Sequence, residues 1–148
     1  MNKVLSQEKA EQLLSELKKA LISSLYAPEC RDNIDFNVQG LVSDELFTIN
    51  IYRGKINRDK ISYSARIKVN NVILLELHIN PTNRHVDPIT GNVICGSHWH
   101  IYKEGFDHRC AFLATDILDA DFVKNTLAFL DRFHVTEKPT IYEQQSLI

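Results

Sequence analysis

The sequence predicts an α+β fold: an antiparallel sheet of five to six strands, flanked by an N-terminal and a C-terminal helix packed on one face. Three observations carry this. Apolar residues recur at three- and four-residue steps only near the two ends of the chain, central segments alternate apolar and polar residues, and Asn70-Asn71 joins two of those segments as a tight hairpin would. At 148 residues the chain reads as one domain, 1–148, long enough to bury about two thirds of its unfolded surface.

Residues 6 to about 24 predict the first helix. Ser6 can cap it, Glu8 lies in its first turn, and Ala10, Leu13, Leu14, Leu17, Ala20 and Leu21 form one apolar face. Pro28 and the polar run Glu29 to Asn33 end it. Ile34, Phe36 and Val38 then alternate with polar residues, and Phe47, Ile49 and Ile51 do so after Gly40. A third strand turns Ile61, Tyr63, Ala65, Ile67 and Val69 inward, and Asn70-Asn71 leads to a fourth, Val72 to Ile79. There Leu75, Leu77 and Ile79 face the core, leaving Leu74, Glu76 and His78 on the opposite side. Asn80 to Gly96 is a 17-residue connection rich in turn formers, longer than most loops in compact domains and so expected to be functional or mobile. A fifth strand follows from His98, and Cys110 to Leu113 reads as a short sixth. The last helix is expected from about Asp119 to Phe133, capped by Asp119 or Asp121, with Phe122, Val123, Leu127, Leu130 and Phe133 along one stripe. An irregular tail is expected from about Glu137.

Composition excludes several functions. Lys and Arg number 17 against 19 acids, a net charge of −2, so neither disorder nor a globally cationic nucleic-acid binder is indicated. Cys30, Cys95 and Cys110 lack C-x-x-C spacing, which predicts buried free thiols and a reducing compartment. The first ten residues are polar and no apolar run approaches a membrane span, so a cytoplasmic location without membrane contact is expected. Gly-rich phosphate loops, G-x-S-x-G elbows and H-E-x-x-H motifs are missing.

The chemistry-bearing stretch is Gly96-Ser97-His98-Trp99-His100-Ile101-Tyr102-Lys103-Glu104-Gly105. In a strand, His98, His100 and Tyr102 share one side and Trp99 and Ile101 the other, with the imidazoles about 6.6 Å apart along the strand. Parity adds His78, Glu76, Arg66 and Lys68 to the same face, and four of the six histidines fall within the 23 residues from His78 to His100. One expectation is a phosphodiesterase acting on RNA with no cofactor and no metal. His98 and His100 would serve as acid and base, with Tyr102 and Glu104 beside them; Lys103, Arg109 and Arg84 would meet the phosphate charge, and His85, His78, Arg66 and Lys68 would bind substrate. A second is a protein-binding module that uses the sheet face or the acidic segment from Glu104 to Asp121. A third is a metal site in which His78, His85, Glu104 or Asp107 completes a shell begun by His98 and His100. Ring nitrogens converging within metal reach favour the third, a pair about 4 to 7 Å apart in an open cleft favours catalysis, and histidines sealed under a helix leave only the second. Hydrogen-bonded strand histidines with no task are the plain alternative.

Residues 53 to 68 concentrate Arg53, Lys55, Arg58, Lys60, Arg66 and Lys68 against the single acid Asp59. This run can track a phosphate backbone with Tyr52 stacking on a base, or it can simply protect a hairpin edge by charge; Tyr63 is expected in the core. A homodimer across the polar face or an edge strand is a further expectation.

His98-x-His100-x-x-x-Glu104 has the spacing of the first cupin motif, but the Pro-x-Gly and third His expected downstream are missing and helices flank both ends. The segment Leu77-His78-Ile79-Asn80-Pro81, then His85, then Gly96 to Asp107 resembles a family of small bacterial and phage proteins of unknown function. Its pattern is Gly-x-His-x-His-x-Tyr-(Arg/Lys)-Glu-Gly-(Tyr/Phe)-x-Asp after an Asn-Pro loop. The resemblance implies signature roles for His98, His100, Tyr102, Glu104 and Gly105 and brings no activity with it. Where Trp-Ala is expected after the Asp, this chain has His108-Arg109-Cys110-Ala111. Proteins of this kind resemble accessory genes of mobile elements, which implies a toxin, an antitoxin partner or an inhibitor of host defence.

Overall fold

The computed structural model describes residues 5–57, 59–117 and 121–143. In chain order the elements are α1 (Gln7–Ser15), β1 (Lys18–Ala20), β2 (Ser24–Tyr26), β3 (Asn33–Gly40), β4 (Leu46–Arg53), β5 (Ile61–Ile67), β6 (Ile73–Ile79), β7 (His85–Val86), β8 (Val93–Ile94), β9 (His98–Lys103), β10 (Asp107–Leu113), α2 (Phe122–Arg132), β11 (Val135–Glu137) and β12 (Thr140–Tyr142). The expected α+β class holds, with a larger sheet. Eight strands run in the order β10-β9-β6-β5-β4-β3-β1-β11, and the β1–β11 pair is parallel, so the sheet is mixed rather than antiparallel with five or six strands. The six strands expected from alternation are all present and antiparallel to their neighbours. The added edge comes from segments too short to show a period.

The first of these replaces the second half of the expected N-terminal helix. Ser6 caps α1 through its hydroxyl, which accepts from the Lys9 amide at 3.1 Å, but the helix ends at Ser15 with Glu16 extended (φ −66°, ψ 148°). Leu17 and Leu21, placed on the apolar face by helical spacing, are instead 51% and 46% exposed. What ends the helix is tertiary. The Glu16 carboxylate accepts from the Ser43 amide at 3.1 Å and from its hydroxyl, and β1 pairs with β3 on one side and β11 on the other. A Cβ on Gly40 would lie 1.6 Å from Glu16 Oε1, so a larger residue there would push the Glu16 carboxylate off Ser43. Lys18 is fully buried, its ammonium donating to the carbonyls of Leu14, Glu16 and Phe133 at 3.1, 2.8 and 2.8 Å and lying 4.1 Å from the centre of the Phe133 ring. It ties the ends of both helices together.

Phe47, Ile49, Ile51, Tyr63, Ala65, Leu75, Leu77 and Trp99 are buried on one face of the sheet under α2. Phe129 stacks on both Tyr63 and Trp99, the Tyr63 hydroxyl hydrogen-bonds Thr126 at 2.7 Å, and the Trp99 indole donates to Asp116 at 3.0 Å. Asp121 caps α2 by accepting from the Lys124 amide; the alternative cap, Asp119, lies outside the described residues. Two expectations of facing fail locally. The register of β5 against β6 slips between Ala65 and Arg66, and Leu74, expected opposite the core, is fully buried beside Leu75. Val69, expected inward, is 81% exposed because β5 ends at Ile67 before the hairpin, where Asn71 takes φ 61°. β11 precedes the expected irregular tail, and the tail itself contains β12, which pairs parallel with β2. All three cysteines are free, but only Cys110 is buried. No described helix is long and apolar enough to cross a membrane.

Candidate functional site

Register, more than any single residue, builds the site. In the β6–β9 ladder His78 stands opposite His98 and Glu76 opposite His100, so all four side chains emerge on the sheet face away from α2. The long connection then folds back and lays His85 over them. Ring centroids of His78 lie 5.2 Å from His98 and 4.8 Å from His100, and His85 lies 4.6 Å from His100. His98 and His100 are 2% and 5% exposed. Neighbouring histidines and the loop supply that burial, and among the described residues no helix lines the pocket in front of them.

Hydrogen bonding fixes the ring tautomers. His98 Nδ1 meets the Gly96 carbonyl and His100 Nδ1 meets the His108 carbonyl, each at 2.9 Å. A carbonyl only accepts, so both rings carry their hydrogen on Nδ1 and present a bare Nε2. His78 Nε2 faces the Glu76 carboxylate at 3.3 Å and His85 Nε2 faces the Arg109 carbonyl at 2.7 Å, so both rings donate from Nε2 and turn Nδ1 away from these partners. His100 Nε2 is buried and has no hydrogen-bond partner. One ligand atom from each of His78, His98 and His100 lies within 4.8 Å of the others.

Burial holds both strand imidazoles in the neutral, electron-donating form. Desolvation pulls His98 below the usual histidine range, and it pulls His100 to about 4, with the adjacent His78 adding to the effect. Burial alone would push Glu76 up. The hydrogen bond and charge of His78, with the charge of His108, outweigh it and hold the carboxyl below its ordinary value. Glu76 therefore remains an acceptor, taking His78 on one oxygen and His108 Nδ1 at 2.5 Å on the other.

Of the residues anticipated at the site, His78, His85, His98 and His100 converge, and Arg84 lines the pocket in front of them. The others do not. Tyr102 is buried in the apolar core, its hydroxyl donating to the Leu5 carbonyl at 2.6 Å. Glu104 and Gln7 exchange two hydrogen bonds, the Gln7 amide to Glu104 Oε1 at 2.7 Å and the Glu104 amide to Gln7 Oε1 at 2.9 Å; Glu104 therefore anchors the start of α1. Lys103 lines a separate groove near α1, Lys68 is exposed at the end of β5, and Arg66 donates to Asn71. Arg109 turns its guanidinium to the Phe106 carbonyl at 3.0 Å, and only its own carbonyl touches the cluster through His85.

The basic run does not form one stripe. Arg53 is buried on the helix face with its guanidinium 6.0 Å from the centre of the Phe122 ring, Lys60 reaches the histidine pocket, and Arg58 lies outside the described residues. Tyr63 is in the core as expected. Strand parity put Glu76 on the right face without a role, and His108 stood out only as a departure from the family pattern. The parity that selected His78 contained the signal for Glu76, whereas His108 needed the β9–β10 register, which is irregular between Asp107 and Cys110.

The fold and site define an α+β sheet protein whose face away from α2 carries a histidine cluster, two of its rings buried, backed by a carboxylate. The chain belongs to DUF6978, a family of unknown function whose model matches residues 5–135. No curated protein and no solved structure matches it.

Proposed function

We propose that the protein is a metal-dependent hydrolytic protein holding a divalent transition metal, zinc by ligand chemistry, on His78, His98 and His100. The observation that carries this is the convergence of three imidazoles in which a buried, hydrogen-free nitrogen, His100 Nε2, has no partner. Leaving such an acceptor unpaired costs about 1–3 kcal/mol, so a site that keeps one supports a missing Lewis acid. The nitrogens, within 4.8 Å of one another, are looser than a loaded site requires: Zn–N bonds of about 2.0–2.1 Å in tetrahedral geometry set ligands roughly 3.4 Å apart, so they would close by up to about 1.4 Å. Neutral imidazoles favour zinc and its neighbours over magnesium or calcium.

The surroundings fit as well. Ligating histidines characteristically donate their second nitrogen to a carbonyl or carboxylate, and here His98 donates to Gly96, His100 to His108 and His78 to Glu76. His78, His98 and His100 would hold such a metal beside the pocket, where it would polarise a substrate oxygen and lower the pKa of a water toward neutrality. His85, whose Nε2 is taken by the Arg109 carbonyl, lies 4.6 Å from His100 ring to ring and would stand beside the metal with its Nδ1. The metal-free acid and base pair is less well supported, because an imidazole held near 4 is uncharged at neutral pH and a poor proton donor.

Titrating chelator-treated protein with zinc in a calorimeter is the test. One equivalent should bind, and X-ray absorption should show about three imidazole nitrogens near 2.0 Å. Equal affinity in a His98→Ala/His100→Ala double variant would refute the assignment.

A further inference from the structure

Resting on the metal-site reading, we infer that the pocket over His78, His98 and His100 takes a phosphate ester, its charge met by Lys60 and Arg84. The pocket encloses about 340 Å³, the lower end of the range for small-molecule sites, and its floor is the three histidines. Its rim comes from two places: Lys60 and Ser62 at the start of β5, and Thr82, Asn83 and Arg84 from the connection that carries His85. Among the described residues no carboxylate lines it. Glu76, the acid nearest in sequence register, has its oxygens taken by His78 and His108.

In a chain whose net charge is −2, a pocket with two cations and no acid is a local excess of positive charge. Lys60 Nζ donates to Thr82 Oγ1 at 2.8 Å, which aims the ammonium across the mouth and leaves two of its hydrogens uncommitted. Among the described residues neither Lys60 nor Arg84 is ion-paired with a carboxylate. Asn80 holds the loop in this place: its amide donates to Ser97 Oγ at 3.0 Å, its side chain donates to the Asp59 carbonyl at 3.0 Å, and its φ of 51° turns the chain back over the sheet. One connection thus brings Arg84 and His85 to the histidine floor together.

A tetrahedral phosphoryl group suits these parts better than a planar carboxylate. It offers enough oxygens for a metal position, an ammonium and a guanidinium fork at once, with Ser62 and Asn83 as neutral donors. Its hydrolysis balances with water alone. A bond forms from water oxygen to phosphorus, the bond from phosphorus to the ester oxygen breaks, the departing alkoxide takes up one proton of the water, and nothing is oxidised or reduced.

The test uses cobalt(II)-loaded protein, whose visible absorption reports the metal's coordination. Inorganic phosphate should change that absorption saturably, and a Lys60→Met/Arg84→Met variant should form the same cobalt spectrum while binding phosphate at least tenfold more weakly. Release of p-nitrophenol from p-nitrophenyl phosphate or from bis(p-nitrophenyl) phosphate tells a monoester from a diester site. A cobalt spectrum that phosphate leaves unchanged, or equal phosphate affinity in the variant, overturns the substrate class and spares the metal. Phosphate binding without turnover of either ester overturns the ester as substrate. Absence of a cobalt spectrum sinks the metal site and this inference with it.

Discussion

Replacing His100 with leucine separates the two costs that this residue carries. In the metal-free protein the change removes a buried nitrogen without a partner, a gain of about 1–3 kcal/mol, and breaks the Nδ1 hydrogen bond to the His108 carbonyl, a loss of about 1–2 kcal/mol with the carbonyl left unpaired. Side-chain volume is similar and the site is 5% exposed, so no large cavity follows. The apo variant should therefore unfold within about 1 kcal/mol of the wild type, an unusually mild result for a buried polar residue. Metal reverses the picture. Zinc at a hundredfold excess over its dissociation constant stabilises the wild type by about 2.7 kcal/mol, or about 5–11 °C in Tm for a chain of this size. The leucine variant should lose most of that increment. Differential scanning calorimetry of chelator-treated and zinc-loaded samples measures both numbers. A wild type whose Tm ignores zinc, or a leucine variant that keeps the full shift, would refute the reasoning.

Three further outcomes follow from the same contacts. Glu76→Gln keeps one acceptor and puts an amide against the second histidine, so zinc affinity should fall about 10–100-fold by calorimetry while far-UV circular dichroism is unchanged; undiminished affinity would remove Glu76 from the site. Lys18→Met strips the donor from three carbonyls, partly offset by no longer burying a charge, and should cost about 2–4 kcal/mol in urea unfolding; a variant as stable as the wild type would mean those carbonyls find water instead. Asp87 accepts from the Thr90 amide and hydroxyl and from the Ala111 amide, and these bonds hold its carboxyl at about 2, below the ordinary 3.8. Its folded pKa is depressed, so its stabilisation is complete above about pH 3.8 and lost as pH falls toward 2. Asp87→Asn should flatten that part of the acid-unfolding curve, and an unchanged curve would contradict the role.

Period and parity made much of this molecule legible. The alternation of Ile61, Tyr63, Ala65 and Ile67, the Asn70-Asn71 hairpin and the cap at Asp121 survive in the structure because each is decided by neighbours within a few residues. The His98 and His100 pair is legible for the same reason: two side chains two apart on a strand must share a face. Tyr102 obeys the same rule on paper yet is lost to the core, since its hydroxyl finds the Leu5 carbonyl near the strand's end. Glu104 resembled a site residue and is a helix anchor, because Gln7 lies 97 residues away in sequence and only folding brings it near.

What the sequence determined by itself, then, is the six-strand antiparallel framework, the two helix starts and the face on which the histidines stand. Tertiary structure decided where α1 stops, which added β1 and β11 to the sheet, and which histidine faces which: His78 against His98 and Glu76 against His100. It also decided that Lys60 and Arg84, rather than Lys103 and Arg109, stand before the cluster. The physical reason is range. Side-chain alternation is fixed by backbone geometry one residue at a time, whereas strand register and loop return are set by burial and hydrogen bonds between segments far apart in the chain.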